Sequence, residues 1–378
     1  MKHKAAILGV GRMGTAISYA MNKLGFDVVG IDSNEKAAEH FRAHITAPEG
    51  VFYLTGQSAD KTAERAIRFE QPDVVISSLP YHQTEEIAMW CIDNGIRYCD
   101  LGGKVDVSKN INDYALKVAT KPIFTDLGLA PGWINILAEH GCKQIHKEAD
   151  SVSMMVGGLP GVPTNPPLNY AVTWSMDGLI NEYSDDCEIL RNGEIKTVPG
   201  MSGLEEVYLD LLQDDVEAFY TSGAASHSLE SMKNRGIKNC EYKTLRWKGH
   251  CETVRFLIKE CNLSKDCLLE IFKNGCCNAG GDIVLLRALV KAGDVQWKQE
   301  KIITADADGD FSAMQKATAY PVSSVAALMA DGFFDGKKEQ RRDYWTHYPK
   351  ALSYSDVPFD EFNSNLNKLG VEKYDKIR

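Results

Sequence analysis

Two stretches carry residue types at spacings suited to chemistry. Gly9-Val10-Gly11-Arg12-Met13-Gly14 follows the apolar run Lys4–Leu8 and precedes a helical pattern through Leu24. In that setting Gly9 permits a tight turn, Gly11 lets a pyrophosphate approach the backbone, and Gly14 lets helix and strand pack closely. The helix N-terminus, at Arg12 and Met13, then offers N–H donors to phosphate. The next apolar run ends at Asp32, 18 residues after Gly14, where a carboxylate can accept from the adenosine ribose hydroxyls. An acid there repels a 2′-phosphate, so NAD is the expected cofactor. Arg12, whose guanidinium suits a phosphate, keeps NADP open.

The second stretch is PPLNYAVTWSMDG, residues 166–178, which reads as a helix opened by two prolines with Asp177 as its single charge. At 100° per residue Tyr170, Trp174 and Asp177 fall within about 60° of one another, while Val172, Met176 and Leu179 cluster opposite. Two aromatic rings beside a carboxylate suit an alkylammonium. The plainer alternative for Asp177 is a solvent-facing pair with a nearby Lys.

Further along, the strand-like run Tyr242–Trp247 alternates, so Thr244 and Arg246 share one face, opposite Lys243, Leu245 and Trp247. Arg246 is the choice to clamp a substrate carboxylate, because its fork matches that geometry. A surface ion pair is the competing role. Thr221 and Ser222 add hydroxyl donors. Lys104, Asp126 and His250, near strand ends, are the candidates for a base that takes up one proton. For His250 a satisfied structural histidine is an equal alternative.

These residues need elements to hold them. Through residue 126 the chain alternates strand and helix: strands end at Asp32, Ser77, Asp100 and Asp126, with helices over 84–94 and 106–119 between them. That alternation implies an α/β fold, a Rossmann doubly wound parallel sheet whose ligands sit beyond the C-terminal strand ends. The loops there bring Ser78, Leu79 and Pro80, and Gly102 and Gly103 next to Lys104, toward the cofactor. After a helix from 132 to about 145 the pattern changes to strand-like runs near 151–157, 187–198, 217–221, 240–247, 283–290 and 298–305. They predict a second α+β domain with a mostly antiparallel sheet and helices on one face. The expected division is residues 1–130 as dinucleotide-binding domain, joined by 315–378 through a helix over 315–329, and 131–314 as substrate and oligomerisation domain. The acidic turn Asp306–Asp310 lacks the glycine and glutamate placement of a calcium loop and reads as a hairpin; no metal is expected.

The bulk numbers fit. At 378 residues two domains are expected, and 44% apolar with 25% charged residues marks a folded globular chain. A net charge of -10 argues against nucleic acid, and the short basic run Lys337-Lys338 with Arg341-Arg342 reads as a surface turn. The N-terminus leads directly into the glycine motif, no apolar segment is long enough for a membrane span, and the ten cysteines form no C-x-x-C pair. A cytoplasmic protein with reduced thiols is expected.

Several runs together, DLGLAPGWINIL (126–137), VGGLP (156–160), PPLNY, WSMDGLI, EAFYTSG (217–223) and EYKTLRWKGH (241–250), resemble the saccharopine dehydrogenase-like superfamily, and within it the lysine 6-dehydrogenases. The resemblance runs from Lys4 to about Met329. It implies a two-domain homo-oligomer with its substrate site between the domains. The implied reaction is NAD-dependent oxidative deamination of the lysine side-chain amine to 2-aminoadipate 6-semialdehyde. Saccharopine or carboxynorspermidine are alternative substrates on the same scaffold, and a non-catalytic NAD-binding module is a further alternative. Two departures stand out: the lysine dehydrogenases are expected to carry His where this chain has Lys104, and saccharopine reductases are expected to carry Arg in place of Asp177.

Overall fold

The computed structural model describes residues 2–45, 50–55, 61–145, 147–164, 166–276, 281–307, 309–335 and 350–371. They form two compact units, Met1–Trp133 with Thr318–Glu372, and Ile134–Ala317.

In the first unit six strands run parallel: β1 (Lys4–Leu8), β2 (Asp27–Asp32), β3 (Gly50–Leu54), β4 (Val74–Ser77), β5 (Tyr98–Asp100) and β6 (Ile123–Phe124). Their order is β3-β2-β1-β4-β5-β6, so the winding reverses between β1 and β4, and that is where such sheets take ligands. The crossovers are α1 (Arg12–Lys23), α2 (Glu35–His44), α3 (Thr62–Glu70), α4 (Tyr81–Asp93) and α5 (Val105–Val118). Covered on both faces, β1 buries Ala5, Ala6, Ile7 and Leu8 in succession, which is why it reads as an unbroken apolar run. In α1 the inward stripe is Ala16, Ile17, Ala20 and Met21 at helical spacing, and each large side chain so buried contributes roughly 1.5–3 kcal/mol.

In the second unit α6 (Trp133–Gln144) leads to β7 (Ser151–Pro160), α7 (Met176–Ser184), the hairpin β8 (Cys187–Arg191) and β9 (Glu194–Val198), then β10 (Glu205–Leu209) and β11 (Asp214–Tyr220). There follow α8 (Ser228–Asn234), β12 (Asn239–Arg246), α9 (His250–Arg255), α10 (Lys265–Gly275), β13 (Asp282–Ala292) and β14 (Val295–Thr304). Eight strands form one sheet ordered β10-β11-β12-β7-β13-β14, with β8 on β12 and β9 on β8. Only the β12–β7 pair is parallel, so the sheet is mixed and mostly antiparallel. Helix α6 lies close on it: a Cβ added at Gly141 would fall 2.3 Å from the Trp297 ring of β14. The chain returns to the first unit through α11 (Ala313–Ala330), whose start is capped by Asp282 accepting from Ala313 N at 2.7 Å and Met314 N at 2.9 Å.

The segment after residue 350, which carries no recognisable motif, covers the first unit. Lys350 O accepts from Ile123 N at 2.7 Å and Leu352 N donates to Ile123 O at 2.8 Å, extending the edge at β6 before α12 (Phe359–Lys368).

Two expectations are corrected. Residues 166–175 are not helical: Asn169 takes a left-handed φ of 47°, which no helix accommodates, and α7 begins only at Met176, capped by Ser175 Oγ accepting from Gly178 N at 3.2 Å. The acidic turn after β14 is not a hairpin, since it leads from a strand into α11; Asp306 N donates to Phe311 O at 2.9 Å to close it. Asp308, Cys277 and the basic run at 337–342 lie outside the described residues.

Candidate active site

The glycine loop is shaped by contacts that leave no room for side chains at two positions and leave room at a third. Gly9 has φ +79°, a conformation costly for other residues. A Cβ on Gly14 would lie 1.9 Å from Gly9 O, so only glycine lets α1 approach the turn this closely. Ser78 Oγ donates to the same carbonyl at 2.5 Å, joining the β4 loop to the β1 loop, and Leu79 packs against Gly9. Gly11 differs: a Cβ there would meet nothing within 4 Å, and no side chain caps or acidifies the first turn of α1. A helix start without a side-chain cap, beside the open space at Gly11 and at the dipole's positive end, fits a pyrophosphate. Arg12 is exposed on the same turn with Met13 beside it, half-buried. Asp32 sits at the end of β2 with one carboxylate oxygen accepting from Val10 N at 2.6 Å and the other from Asn34 N at 2.8 Å, which fixes it beside the turn. Pro80 precedes α4, another helix with no side-chain cap and no acid in its first turn.

The ends of β5 and β6 hold two buried carboxyls. Asp100 Oδ1 accepts from Gly102 N at 2.9 Å and Asp126 N at 3.0 Å. Burial, with the Asp126 charge adding to it, raises the Asp100 carboxyl to about 7. Asp126 is buried, has φ 61°, and accepts from Ser108 Oγ at 2.6 Å. Gly102, at φ +78°, makes this possible, since a Cβ there would fall 2.1 Å from Asp126 Oδ1. Gly103 follows at φ +135°. Asp126 therefore ties two loops together. Lys104, by contrast, is exposed at the N-cap of α5, and its ammonium makes no hydrogen bond or ion pair among the described residues.

In the second unit the alternation of β12 sends Lys243 to Gly203 O and Glu205, each at 2.7 Å, and turns Thr244 and Arg246 to the other face. Thr244 Oγ1 lies 2.8 Å from Thr221 Oγ1. Arg246 is 3% exposed, and its guanidinium carbon stands 4.8 Å from the Tyr170 ring centroid and 5.7 Å from that of Tyr183. Its Nε donates to Tyr183 Oη at 2.8 Å and Nη1 to Leu245 O at 2.8 Å. No carboxylate forms an ion pair with it among the described residues, and its Nη2 has no acceptor there. A buried guanidinium without an ion-pair partner is costly; the Tyr170 and Tyr183 rings and the two acceptors offset part of that cost, and an anionic group would offset more.

His250 is fully buried under this cluster. Glu217 places it by accepting from Gly249 N at 3.0 Å and Cys251 N at 2.5 Å, which fastens the start of α9. Nδ1 lies 2.7 Å from Leu168 O and Nε2 3.0 Å from Tyr183 Oη. A carbonyl can only accept, so Nδ1 carries the proton and Nε2 accepts from Tyr183, whose oxygen in turn accepts from Arg246. Burial, then the Arg246 charge, lowers the imidazole to about 3. With both nitrogens so engaged, the imidazole orients Tyr183.

The proposed face of Tyr170, Trp174 and Asp177 does not form, because its helix is absent. Tyr170 is buried on the His250 ring, with centroids 5.1 Å apart, and Trp174 folds over Gly178. Asp177 is 67% exposed and pairs with Lys265 at 3.1 Å, the plainer of its two roles. Sequence reasoning missed Tyr183, Glu217 and Asp100. Tyr183 lies three residues beyond the WSMDGLI run, Glu217 opens the EAFYTSG run and Asp100 heads the Asp100–Lys104 loop, so proximity to those motifs was the available signal.

With this geometry in view, the comparisons are specific. Residues 5–122 match the family model described as saccharopine dehydrogenase NADP binding domain, and residues 128–348 match the saccharopine dehydrogenase C-terminal domain. The chain belongs to the saccharopine dehydrogenase family. The NADP-binding match falls within the first unit. Mouse mitochondrial alpha-aminoadipic semialdehyde synthase is 24% identical over 280 residues, covering 68% of this chain and 28% of that protein. The L-glutamate-forming, NADP-dependent saccharopine dehydrogenase of Schizosaccharomyces pombe is 23% identical over 146 residues, 38% of this chain and 32% of that one. The chain thus spans about a quarter to a third of the length of these relatives. Apo saccharopine dehydrogenase (L-Glu forming) from Saccharomyces cerevisiae has the same fold, with TM-score 0.69 at 15% identity, covering 100% of this chain and 99% of that one. Among the described residues no helix is long and apolar enough to cross a membrane.

Proposed function

We propose that this protein oxidises carbon 6 of a lysine skeleton with a nicotinamide dinucleotide, releasing 2-aminoadipate 6-semialdehyde. The observation that carries the reading is Arg246: a buried guanidinium without an ion-pair partner, in the unit that does not hold the dinucleotide, suits the carboxylate of an amino-acid substrate. For lysine the balance is lysine, NAD and water giving the semialdehyde, ammonium, NADH and a proton. The nicotinamide ring, when bound, accepts the hydride from carbon 6.

The chain's own residues have separable tasks. Gly9, Gly11 and Gly14 with the start of α1 would hold the pyrophosphate, and Asp32 would take the ribose hydroxyls, which supports NAD; Arg12 is the residue through which NADP would be accepted. Arg246 would bind carboxylate, with Tyr183 and His250 fixing its fork. Of the three candidates for proton transfer, His250 and Asp126 are engaged in hydrogen bonds within the protein, which leaves Lys104, whose ammonium has no such partner among the described residues. A cytoplasmic homo-oligomer is the accompanying reading.

Saccharopine is a second reading with its own support. The S. pombe and S. cerevisiae enzymes named above carry that substrate in their names, and the surface pairing of Asp177 removes the charge inversion that spoke against it. The same carbon would lose hydride, with glutamate leaving in place of ammonia. Absorbance of reduced cofactor with NAD or NADP and a panel of lysine, saccharopine, ornithine and carboxynorspermidine separates these. Turnover of lysine or saccharopine supports the proposal and names the leaving group. Turnover of only ornithine or carboxynorspermidine moves the substrate, and no turnover of any leaves a binding module.

A further inference from the structure

Two tyrosines flank the Arg246 guanidinium, and they differ in one respect. Tyr183 Oη accepts from Arg246 Nε at 2.8 Å and donates to His250 Nε2 at 3.0 Å, so its bonding is complete within the protein. Tyr170 lies closer, its ring centroid 4.8 Å from the guanidinium carbon against 5.7 Å for Tyr183, and is equally buried. Yet Tyr170 Oη has no hydrogen-bond partner among the described residues. A buried hydroxyl that bonds to nothing has lost its hydration without replacement, which few native side chains do. The chain holds this ring in place from several directions. Leu168 O accepts from His250 Nδ1 at 2.7 Å, Asn169 Nδ2 donates to Lys248 O at 3.0 Å, and the ring packs on His250 and Phe272 with centroids 5.1 and 6.5 Å away.

Arg246 also has a donor to spare, because Nε and Nη1 reach Tyr183 and Leu245 O while Nη2 has no acceptor among the described residues. A charged donor and a neutral one thus stand unmet on two side chains in contact. A carboxylate has an oxygen for each. We infer that Tyr170 is a substrate-binding residue whose hydroxyl donates to the carboxylate that Arg246 holds. This deepens the reading of Arg246 given above and rests on it. Burial raises the Tyr170 phenol above its ordinary range against the Arg246 charge, so the hydroxyl keeps the proton it donates.

The test is calorimetric titration of the dinucleotide-loaded protein with two pairs of compounds, L-lysine with 1,5-diaminopentane and L-2-aminoadipate with 5-aminopentanoate. The second member of each pair lacks only the α-carboxylate. In at least one pair the wild type is expected to bind the amino acid about 100-fold more tightly than its partner, and Arg246→Met to bring that ratio near one. Tyr170→Phe, which removes one oxygen and keeps the ring, should lower the ratio about tenfold by weakening the amino acid alone. Its melting temperature should hold or rise, since the protein makes no bond to the lost hydroxyl, whereas Tyr183→Phe, which deletes two bonds, should melt lower. An unchanged ratio in Tyr170→Phe, equal weakening of both members of a pair, or a lower melting temperature for that variant overturns the inference. If Arg246→Met collapses the ratio while Tyr170→Phe leaves it intact, the phenol is struck and the reading of Arg246 stands. A wild type that discriminates within neither pair strikes both.

Discussion

The two units build their sites from different materials. Around the glycine loop the polar groups are largely satisfied by the protein, Asp32 by two backbone donors and Ser78 by Gly9 O; beyond it Asp126 accepts from Ser108, and Asp100 pairs one oxygen with two backbone donors while the other has no partner among the described residues. What is left open there is backbone, at Gly11 and the start of α1. Around Arg246 the reverse holds, with the backbone paired in strands and side-chain charge left without a counter-charge. One site is a shape written in main chain and the other an electrostatic vacancy written in side chains. Substitutions should therefore damage the first through space and the second through charge.

The largest effect is expected from contrasting two glycines of the same loop, one crowded and one open. Gly14→Ala must push α1 off the turn, because its Cβ would fall 1.9 Å from Gly9 O. It should lower stability by roughly 2–4 kcal/mol and abolish dinucleotide binding. Gly11→Ala meets no protein atom, so stability should change by less than about 0.5 kcal/mol while dinucleotide affinity falls about tenfold or more. Calorimetric melting and dinucleotide titration of both variants decide it. Equal losses of stability would erase the distinction between packing glycine and ligand glycine.

Next in size is the charge. Arg246→Met keeps length and apolar contact with Tyr170 and Tyr183 while removing the guanidinium, so dinucleotide affinity should hold while kcat/KM for the amino acid falls about 100-fold or more. Arg246→Lys should recover little, since an ammonium cannot reproduce the Nε bond to Tyr183 together with a second donor. Parallel loss of dinucleotide affinity would mean Arg246 serves the fold at large.

A smaller, pH-resolved effect is expected at Asp100. Its carboxyl is raised in the folded state to about 7 from an unfolded value of about 3.9. The folded state therefore holds its proton where the unfolded state has lost it, and stability falls as pH rises from about 4 to 7. Above pH 7 the penalty is complete. Asp100→Asn cannot ionise and retains an oxygen for Gly102 N and Asp126 N, so its melting temperature should gain on the wild type as pH climbs through that window. A constant difference between the two across pH 4–7 would refute the assignment.

The contrast also explains what the sequence could disclose. The parallel sheet, the glycine loop and Asp32 were legible because each depends on local spacing: a turn, a close approach and a strand end recur at fixed offsets. Arg246 and Thr244 were legible for the same kind of reason, since alternation along β12 assigns faces without knowledge of partners. Tyr183 on α7 meets Arg246 across 63 residues of chain and His250 across 67. No period reports such a meeting. His250 was visible as a residue, but its role turns on Leu168 O and Tyr183, which only the fold brings to its two nitrogens.

Asp177 is where local reasoning went furthest astray, and it supplies the smallest prediction. The helical wheel presumed continuous α-geometry through residues 166–178, with the two prolines as its opening. Asn169 at φ 47° and the Ser175 cap instead confine the helix to Met176–Ser184, which puts Asp177 in its first turn, facing solvent. An acid there interacts favourably with the helix dipole and with Lys265, contributions of about a few tenths of a kcal/mol each that largely overlap and are screened by salt. Asp177→Asn should thus cost at most about 0.5 kcal/mol of stability and change the Michaelis constant for the amine by less than about twofold. The measurement is steady-state kinetics of the variant beside the wild type. Should Asp177→Asn instead raise that constant tenfold, the cation would be bound at the start of α7, and the contrast between a main-chain site and a buried-charge site would have to be redrawn around a surface charge.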